Sequence, residues 1–314
     1  MRCALSLLLL AAPVAQAALP LYNTDMIKAG EALASFSSSR SELQFDSRYS
    51  IAGNPSVVEP LLGVAEVTTK QTGLVLVFGL RDNLNAYLSG GFSESDFDTA
   101  FQGRFVNNLP IRAQYDARQE GFDDLGAGLE YRLFASAATA MVARVAVLIP
   151  TASDYSGTTA ETVNGIQFTT LDEGRRGRGY TRVSPQLAGS TKWDRTVLEY
   201  ELSMGTDDEK DTEDTYGLQL GVLQHIGNAA YMRLSGSASW QQGMRTATLS
   251  TNDIAAYTFT LTAGYFITPN VRLAASGSYG WADDAEVDYV SGDRVQHGNQ
   301  EQEGLGLSIT YMLP

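Results

Sequence analysis

From residue 41 onward, apolar and polar positions alternate with a period of two, as in strands with one apolar and one polar face. The clearest run is Leu125, Ala127, Leu129, Tyr131 and Leu133, interleaved with Gly126, Gly128, Glu130 and Arg132. Leu198, Tyr200, Leu202 and Met204 alternate in the same way with Glu199, Glu201 and Ser203. Tyr257, Phe259 and Leu261 alternate with Thr258, Thr260 and Thr262, and Leu305, Leu307 and Ile309 with Gly304, Gly306 and Ser308. These runs reach about 11 to 14 residues, whereas strands in soluble proteins average about five or six and a tilted strand crossing a bilayer needs about 9–11.

The pattern predicts strands at 42–51, 73–81, 84–93, 122–134, 140–150, 180–192, 195–205, 214–226, 229–241, 254–267, 271–281 and 302–313. Tight connections fall at Arg81-Asp82-Asn83, Ala135 to Thr139, Trp193-Asp194, Gly227-Asn228 and Thr268-Pro269-Asn270. They alternate strictly with longer polar loops at 52–72, 94–121, 151–179, 206–213, 242–253 and 282–301. Short turns at one end and long loops at the other are the arrangement of an outer-membrane barrel, and closure removes the exposed edges of long strands. The predicted fold is therefore all-β, a transmembrane antiparallel up-and-down β-barrel of about twelve strands, or fourteen if Leu109 to Asp116 also pairs. Tyr131, Trp193, Tyr265 and Tyr311 fall near the short-turn ends of their strands, and Trp240, Tyr257, Tyr279 and Trp281 near the loop ends, as two aromatic girdles would require.

The chain divides into a signal peptide at 1–17, a segment at 18–40 that is either periplasmic or a lumen plug, and the barrel at 41–314. Arg2, the apolar run Leu5 to Ala12 and the small residues of Ala15-Gln16-Ala17 are the parts of a cleaved export signal. In the second segment, Ile27 to Phe36 could form a short helix folded up into the barrel as a partial plug, the alternative being a disordered periplasmic tail. The expected location is the bacterial outer membrane.

Charged residues make up 18% of the chain, below the roughly 25% of soluble domains. The formal net charge of −14 argues against a nucleic-acid partner, which needs a basic surface. With two His and one Cys, neither a Cys/His zinc site nor a disulfide framework can be built, and no metal or other cofactor is expected. The expected partners are outer-membrane lipid and lipopolysaccharide, the barrel-assembly machinery and a small-molecule solute.

Three stretches resemble a known family: Thr72 to Phe92, Gly121 to Phe134 and Val142 to Asp154. They are similar to the meta-pathway phenol-degradation family of outer-membrane proteins, related in kind to fatty-acid and aromatic-hydrocarbon channels. Leu19 to Gly30 looks like the family's mature start. The resemblance implies passive uptake of small hydrophobic or aromatic compounds, with no catalytic residue. An adhesive or structural barrel with a closed lumen is the alternative, and a hydrolase built on external loops a more distant one. The last would use His297 among Asp283, Asp284, Asp288 and Asp293; no G-x-S-x-G appears.

Three candidate sites follow. Phe97, Phe101 and Phe105 recur every four residues behind Ser95 as a possible N-cap, which predicts a short helix with a ligand-binding aromatic stripe, faced by Val57, Val58, Leu61, Leu62 and Val64. The polar strand faces put Arg81, Arg132, Arg144, Lys192, Arg195, His225, Arg233 and Arg272 inward near the short turns, with Glu130, Glu199 and Glu201 as partners, predicting a charged constriction. Arg175, Arg176 and Arg178, with Arg182 nearby, form a basic cluster suited to lipopolysaccharide phosphates. The acidic loop 207–214 could in turn hold divalent cations.

Overall fold

The structure, a computed structural model, describes residues 24–50, 61–104, 110–151, 154–163, 166–175, 181–207, 214–246 and 248–313. The proposed signal peptide, Val57, Val58, Phe105, Arg176, Arg178 and residues 208–213 of the acidic loop lie outside them. One antiparallel sheet of seventeen strands accounts for nearly all of the described chain. The strands are β1 (Ala32–Ser50), β2 (Leu61–Arg81), β3 (Leu84–Arg104), β4 (Pro110–Phe122), β5 (Leu125–Ala135), β6 (Thr139–Ile149), β7 (Asp154–Val163), β8 (Ile166–Arg175) and β9 (Arg182–Trp193). They continue as β10 (Thr196–Asp207), β11 (Thr215–Ile226), β12 (Ala230–Gln241), β13 (Leu249–Thr251), β14 (Ile254–Thr268), β15 (Val271–Ala282), β16 (Ala285–Tyr289) and β17 (Arg294–Leu313).

Twelve of them close the barrel, and the remainder extend it. Ladders run β1–β2–β3–β5–β6–β9–β10–β11–β12–β14–β15–β17, and β17 returns to β1 from Ala32↔Leu313 to Ser50↔Arg294. The large side chains on the outer face stand exposed, as contact with lipid demands: Leu129 at 52%, Leu234 at 57% and Leu305 at 74%. Polar and small residues of the opposite parity line the lumen, Glu130, Arg144, Ser190, Glu199, Arg272 and Thr310 among them, all buried.

Four strands are much longer than a bilayer requires. β1 has 19 residues, β2 and β3 have 21 each, and β17 has 20, against the roughly 9–11 needed to cross. On this side the wall continues well beyond the membrane on the long-loop side, and β4, β7 and β8 extend it further. The segment 94–121 is consequently a β-hairpin and not a helix: β3 runs on to Arg104 and returns as β4, paired from Arg104↔Pro110 to Phe92↔Phe122. A spacing of four places residues on one face of a strand as well as of a helix. Thr99 and the phenylalanines favour the strand, and the neighbouring β2 supplies a ladder. The candidate helix over Ile27 to Phe36 is also absent. Ile27 to Gly30 is irregular, Gly30 takes a φ of 86°, and the chain enters β1 at Ala32. Ser35, Ser37, Ser38 and Ser39 are poor helix formers, and Ser35, Ser37 and Ser39 pack along the lumen wall while Ser38 faces outward.

A break in the barrel wall lies where β4 ends and β5 begins. β3 pairs with β4 down to Phe92↔Phe122, then with β5 from Ser89↔Gly126, leaving Asp123 and Asp124 between the two registers. The extra residue switches parity. Ala117 and Gln119 of β4 are buried on the inside, and so is Glu130 of β5.

Candidate channel lumen and wall opening

The base of the lumen is occupied by the chain's own N-terminal segment. Gly30 donates its backbone N–H to the carbonyl of Gly79 at 2.9 Å, and the N–H of Gly79 donates to the carbonyl of Glu31 at 3.0 Å. A Cβ at Gly79 would overlap the backbone of Lys28, so only glycine lets the segment lie this close to β2. Ile27, 2% exposed, packs with Leu33 and Val77. The side-chain amide of Asn85 contacts Met26 Sδ at 3.5 Å, and the hydroxyl of Thr24 meets that of Ser190 on β9 at 2.5 Å. The segment thus spans from β2 to the facing wall.

Above it lies a layer of buried charges. Arg144 on β6 donates to Glu130 on β5 at 2.7 Å and to Glu201 on β10 at 2.9 Å, and all three side chains are at most 8% exposed. The amide of Asn85 completes Glu130 at 3.1 Å. Arg233 on β12 engages Glu199 on β10 through two nitrogens, at 2.9 and 3.2 Å. Arg144 and Glu130 are direct cross-strand partners, whereas the other two bridges each cross a strand at a small residue: Ala188 stands in register with Glu201, and Gly221 with Glu199. Arg272 lies over the ring of Tyr231 at 5.9 Å and donates to the hydroxyl of Thr310 at 3.3 Å. Arg132 donates to the carbonyl of Asp82 at 3.4 Å. Charges held in a narrow lumen are tolerable because each finds an opposite charge, a hydrogen bond or an aromatic face. Arg81 and Arg195 stand apart from this layer, exposed on the short turns, and Lys192 is exposed beside them.

The inner face of the wall beyond the membrane is apolar. Phe45, Ala65, Val67, Phe97 and Ala117 form one buried cluster contributed by β1, β2, β3 and β4, with Leu43 packed beside it. Phe97 is 8% exposed there. Phe101, four residues farther along β3, lies against Gly63 of β2 and is partly buried. His297 adjoins the cluster, its ring edge-on to Phe45 at 5.0 Å and its Nδ1 2.9 Å from the hydroxyl of Ser47. Burial pushes the imidazole down to about 4, so it stays neutral. Of the acidic residues named for the distant hydrolase alternative, Asp288 pairs with Arg294 at 2.6 Å and not with His297.

The wall break carries its own polar fastening. Asp123 turns inward, where one carboxylate oxygen accepts from Ser93 at 2.5 Å and the other from the amide of Gln71 at 3.1 Å. Its backbone N–H donates to the carbonyl of Gly91 at 2.9 Å. Gly91 stands opposite Gly73, and a Cβ on it would sit 2.8 Å from the Asp123 carboxylate. On the outer side of the same break a groove of about 620 Å³ is lined by Phe36, Leu74, Leu88, Phe92, Phe122 and Leu125, with Gly73, Gly90 and Gly91 where the wall is thinnest. That is within the ~300–1,000 Å³ of small-molecule pockets.

A solved structure with the same architecture is the COG4313 outer membrane channel from Pseudomonas putida F1. It matches with a TM-score of 0.54 over 94% of this chain and 100% of its own, at 14% identity. The chain shares the β-barrel fold of that structure. A Pseudomonas aeruginosa FadL homologue matches at a TM-score of 0.49 and 11% identity, over 90% of each chain. The Pseudomonas putida toluene transporter TodX matches at 0.47 and 9%, over 88% of this chain and 89% of its own. No family model and no curated protein matches the sequence.

Within this barrel, several residues that sequence reasoning passed over take part in the lumen and the wall. Thr24, Asn85, Ser190, Gln71, Ser93 and Asp123 are short polar side chains on faces that read as generic lumen lining.

Proposed function

We propose that this protein is a passive outer-membrane channel, exported through a cleaved signal peptide, that takes up small hydrophobic or aromatic compounds. The observation that carries the reading is the contrast between the two ends of the route. The lumen base is filled by residues 24–31 and by the Arg144 and Arg233 networks, whereas the wall at Gly90–Gly91 and Asp123 is thinned and backed by an apolar groove. An apolar solute is received on the inner patch around Phe45, Val67 and Phe97, moves down, and leaves sideways into the bilayer through the wall break. The apolar interior favours such a solute over a hydrated ion, and a route into lipid spares it the charged base. The names of the similar solved proteins, an outer-membrane channel and a toluene transporter, point the same way.

Liposomes loaded with a dye that reports hydrocarbon entry test the proposal. Faster entry of toluene or a similar monoaromatic through the protein, with low ionic conductance, is the expected result. The filled base also suits a sealed structural barrel, and equal entry with and without protein would favour that reading.

A further inference from the structure

The outer face of the wall carries a second surface, just beyond the apolar band. Phe92 and Phe122 are cross-strand partners, their rings edge-to-face at 5.6 Å, and they close the lipid-facing stretch of β3 and β4. Two residues farther along, about 7 Å at strand spacing, the outward positions become charged across four neighbouring strands. In this row Arg40 of β1 stands opposite Lys70 of β2, Lys70 opposite Glu94 of β3, and Glu94 opposite Glu120 of β4. Arg118 belongs to the next row and reaches back to Glu94 at 2.8 Å and Glu120 at 3.3 Å. Lys70 lies 3.5 Å from Glu94, and Arg40 2.6 Å from Glu42.

We propose that this row binds lipopolysaccharide, with Arg40, Lys70 and Arg118 taking the phosphates of one lipid A headgroup while Phe92 and Phe122 meet its acyl chains. Aromatic residues mark the level where acyl chains give way to headgroups, so cations one step beyond them stand in the phosphate layer. The outer leaflet facing them is lipopolysaccharide, whose headgroup phosphates are the complementary charge. The three cations are 52–59% exposed despite their carboxylate neighbours. An ammonium has three donors and a guanidinium five, so the single carboxylate contacts of Arg40 and Lys70 leave donors for a phosphate, and Arg118, with Glu94, Asp96 and Glu120 around it, keeps fewer. The carboxylates hold three like charges close together without mutual repulsion. Of the expected basic cluster, Arg175 is described: it ends β8, paired with Asp154 of β7, and is not part of this row.

The test uses the full-length protein purified free of lipopolysaccharide and incubated with bisphosphorylated lipid A, monophosphoryl lipid A or phosphatidylglycerol, with retention measured by native mass spectrometry. Bisphosphorylated lipid A should be retained most strongly, and Lys70→Ala and Arg118→Ala should each weaken it about fivefold. Lys70→Arg with Arg118→Lys should keep most of the binding. Phosphatidylglycerol held as tightly as lipid A, or retention unchanged in the double alanine variant with intact heat-modifiable gel mobility, would overturn the proposal. If the double variant does not fold, the single Lys70→Gln change gives the same reading.

Discussion

The carbonyl of Lys28 lies in the space a side chain on Gly79 would fill, so the N-terminal segment is seated in the lumen by the absence of one methyl group. Gly79→Val should unseat residues 24–31 without disturbing the ladder from β2 to β3. Removal of residues 24–30, which stops short of β1 at Ala32, should act in the same way. Both changes should raise the open current in planar bilayers. Unchanged current in both would mean that the segment does not obstruct the lumen.

The charged layer should show two different dependences. Arg144→Ala leaves Glu130 and Glu201 buried without their cation, which is expected to cost about 3–5 kcal/mol and to lower the thermal midpoint of the folded barrel. Arg132→Ala combined with Arg233→Ala should widen the conductance, because both guanidinium groups project into the lumen near the short turns. Conductance at the parent value, with normal heat-shifted mobility on gels, would show that these side chains do not form the constriction.

The inner patch beyond the membrane can be tested at Phe97. Phe97→Ala should slow monoaromatic entry and cost up to about 3–5 kcal/mol of stability, as for other buried phenylalanines. Phe97→Leu preserves most of the volume and should retain entry. If the leucine variant is as slow as the alanine variant, the patch is selecting something other than apolar bulk.

His297 makes stability depend on pH. Its ordinary value is 6.5, and in the folded protein it falls to about 4 because the ring is desolvated beside Phe45. Between those values the unfolded chain takes up a proton that the native chain refuses. Stability should therefore decline as pH falls from about 6.5 to about 4, by about 3 kcal/mol in all, and level off below. No such contribution exists above the upper value. His297→Gln should flatten this slope, and a parallel slope in the variant would place its origin elsewhere.

Much of this architecture was legible in the alternation itself. Leu125 to Leu133 and Leu305 to Leu313 have one face too apolar for water and strands too long for a sandwich, which leaves a membrane barrel. The lumen charges were legible for the same reason, since parity alone sends Glu130, Arg144, Glu199, Glu201 and Arg233 inward. Which of them meet was only partly legible, because Arg144 reaches Glu201 and Arg233 reaches Glu199 across an intervening strand, past the small Ala188 and Gly221. The extended wall was misread as loops because Glu94, Asp96 and Asp98 make the outer face of β3 polar once it leaves the lipid. A strand exposed to water on that face no longer shows the alternation of a membrane strand. Phe97 and Phe101 were assigned to a helix because a separation of four satisfies both periods. The wall break could not be read from pattern at all, since it depends on where two ladders change register.

Sideways exit at that break is the central claim, and a reversible lock across it is the most direct measurement. Gly90 of β3 faces Leu125 of β5 closely enough that a Cβ on Gly90 would lie 2.9 Å from a Leu125 methyl group. The chain's one cysteine is Cys3, in the proposed signal peptide, so Gly90→Cys with Leu125→Cys adds an isolated pair. Monoaromatic entry into liposomes should fall when the pair is oxidised, as followed by gel mobility, and recover on reduction. Equal entry through the oxidised and reduced forms, with the disulfide demonstrably closed, would contradict exit through the wall.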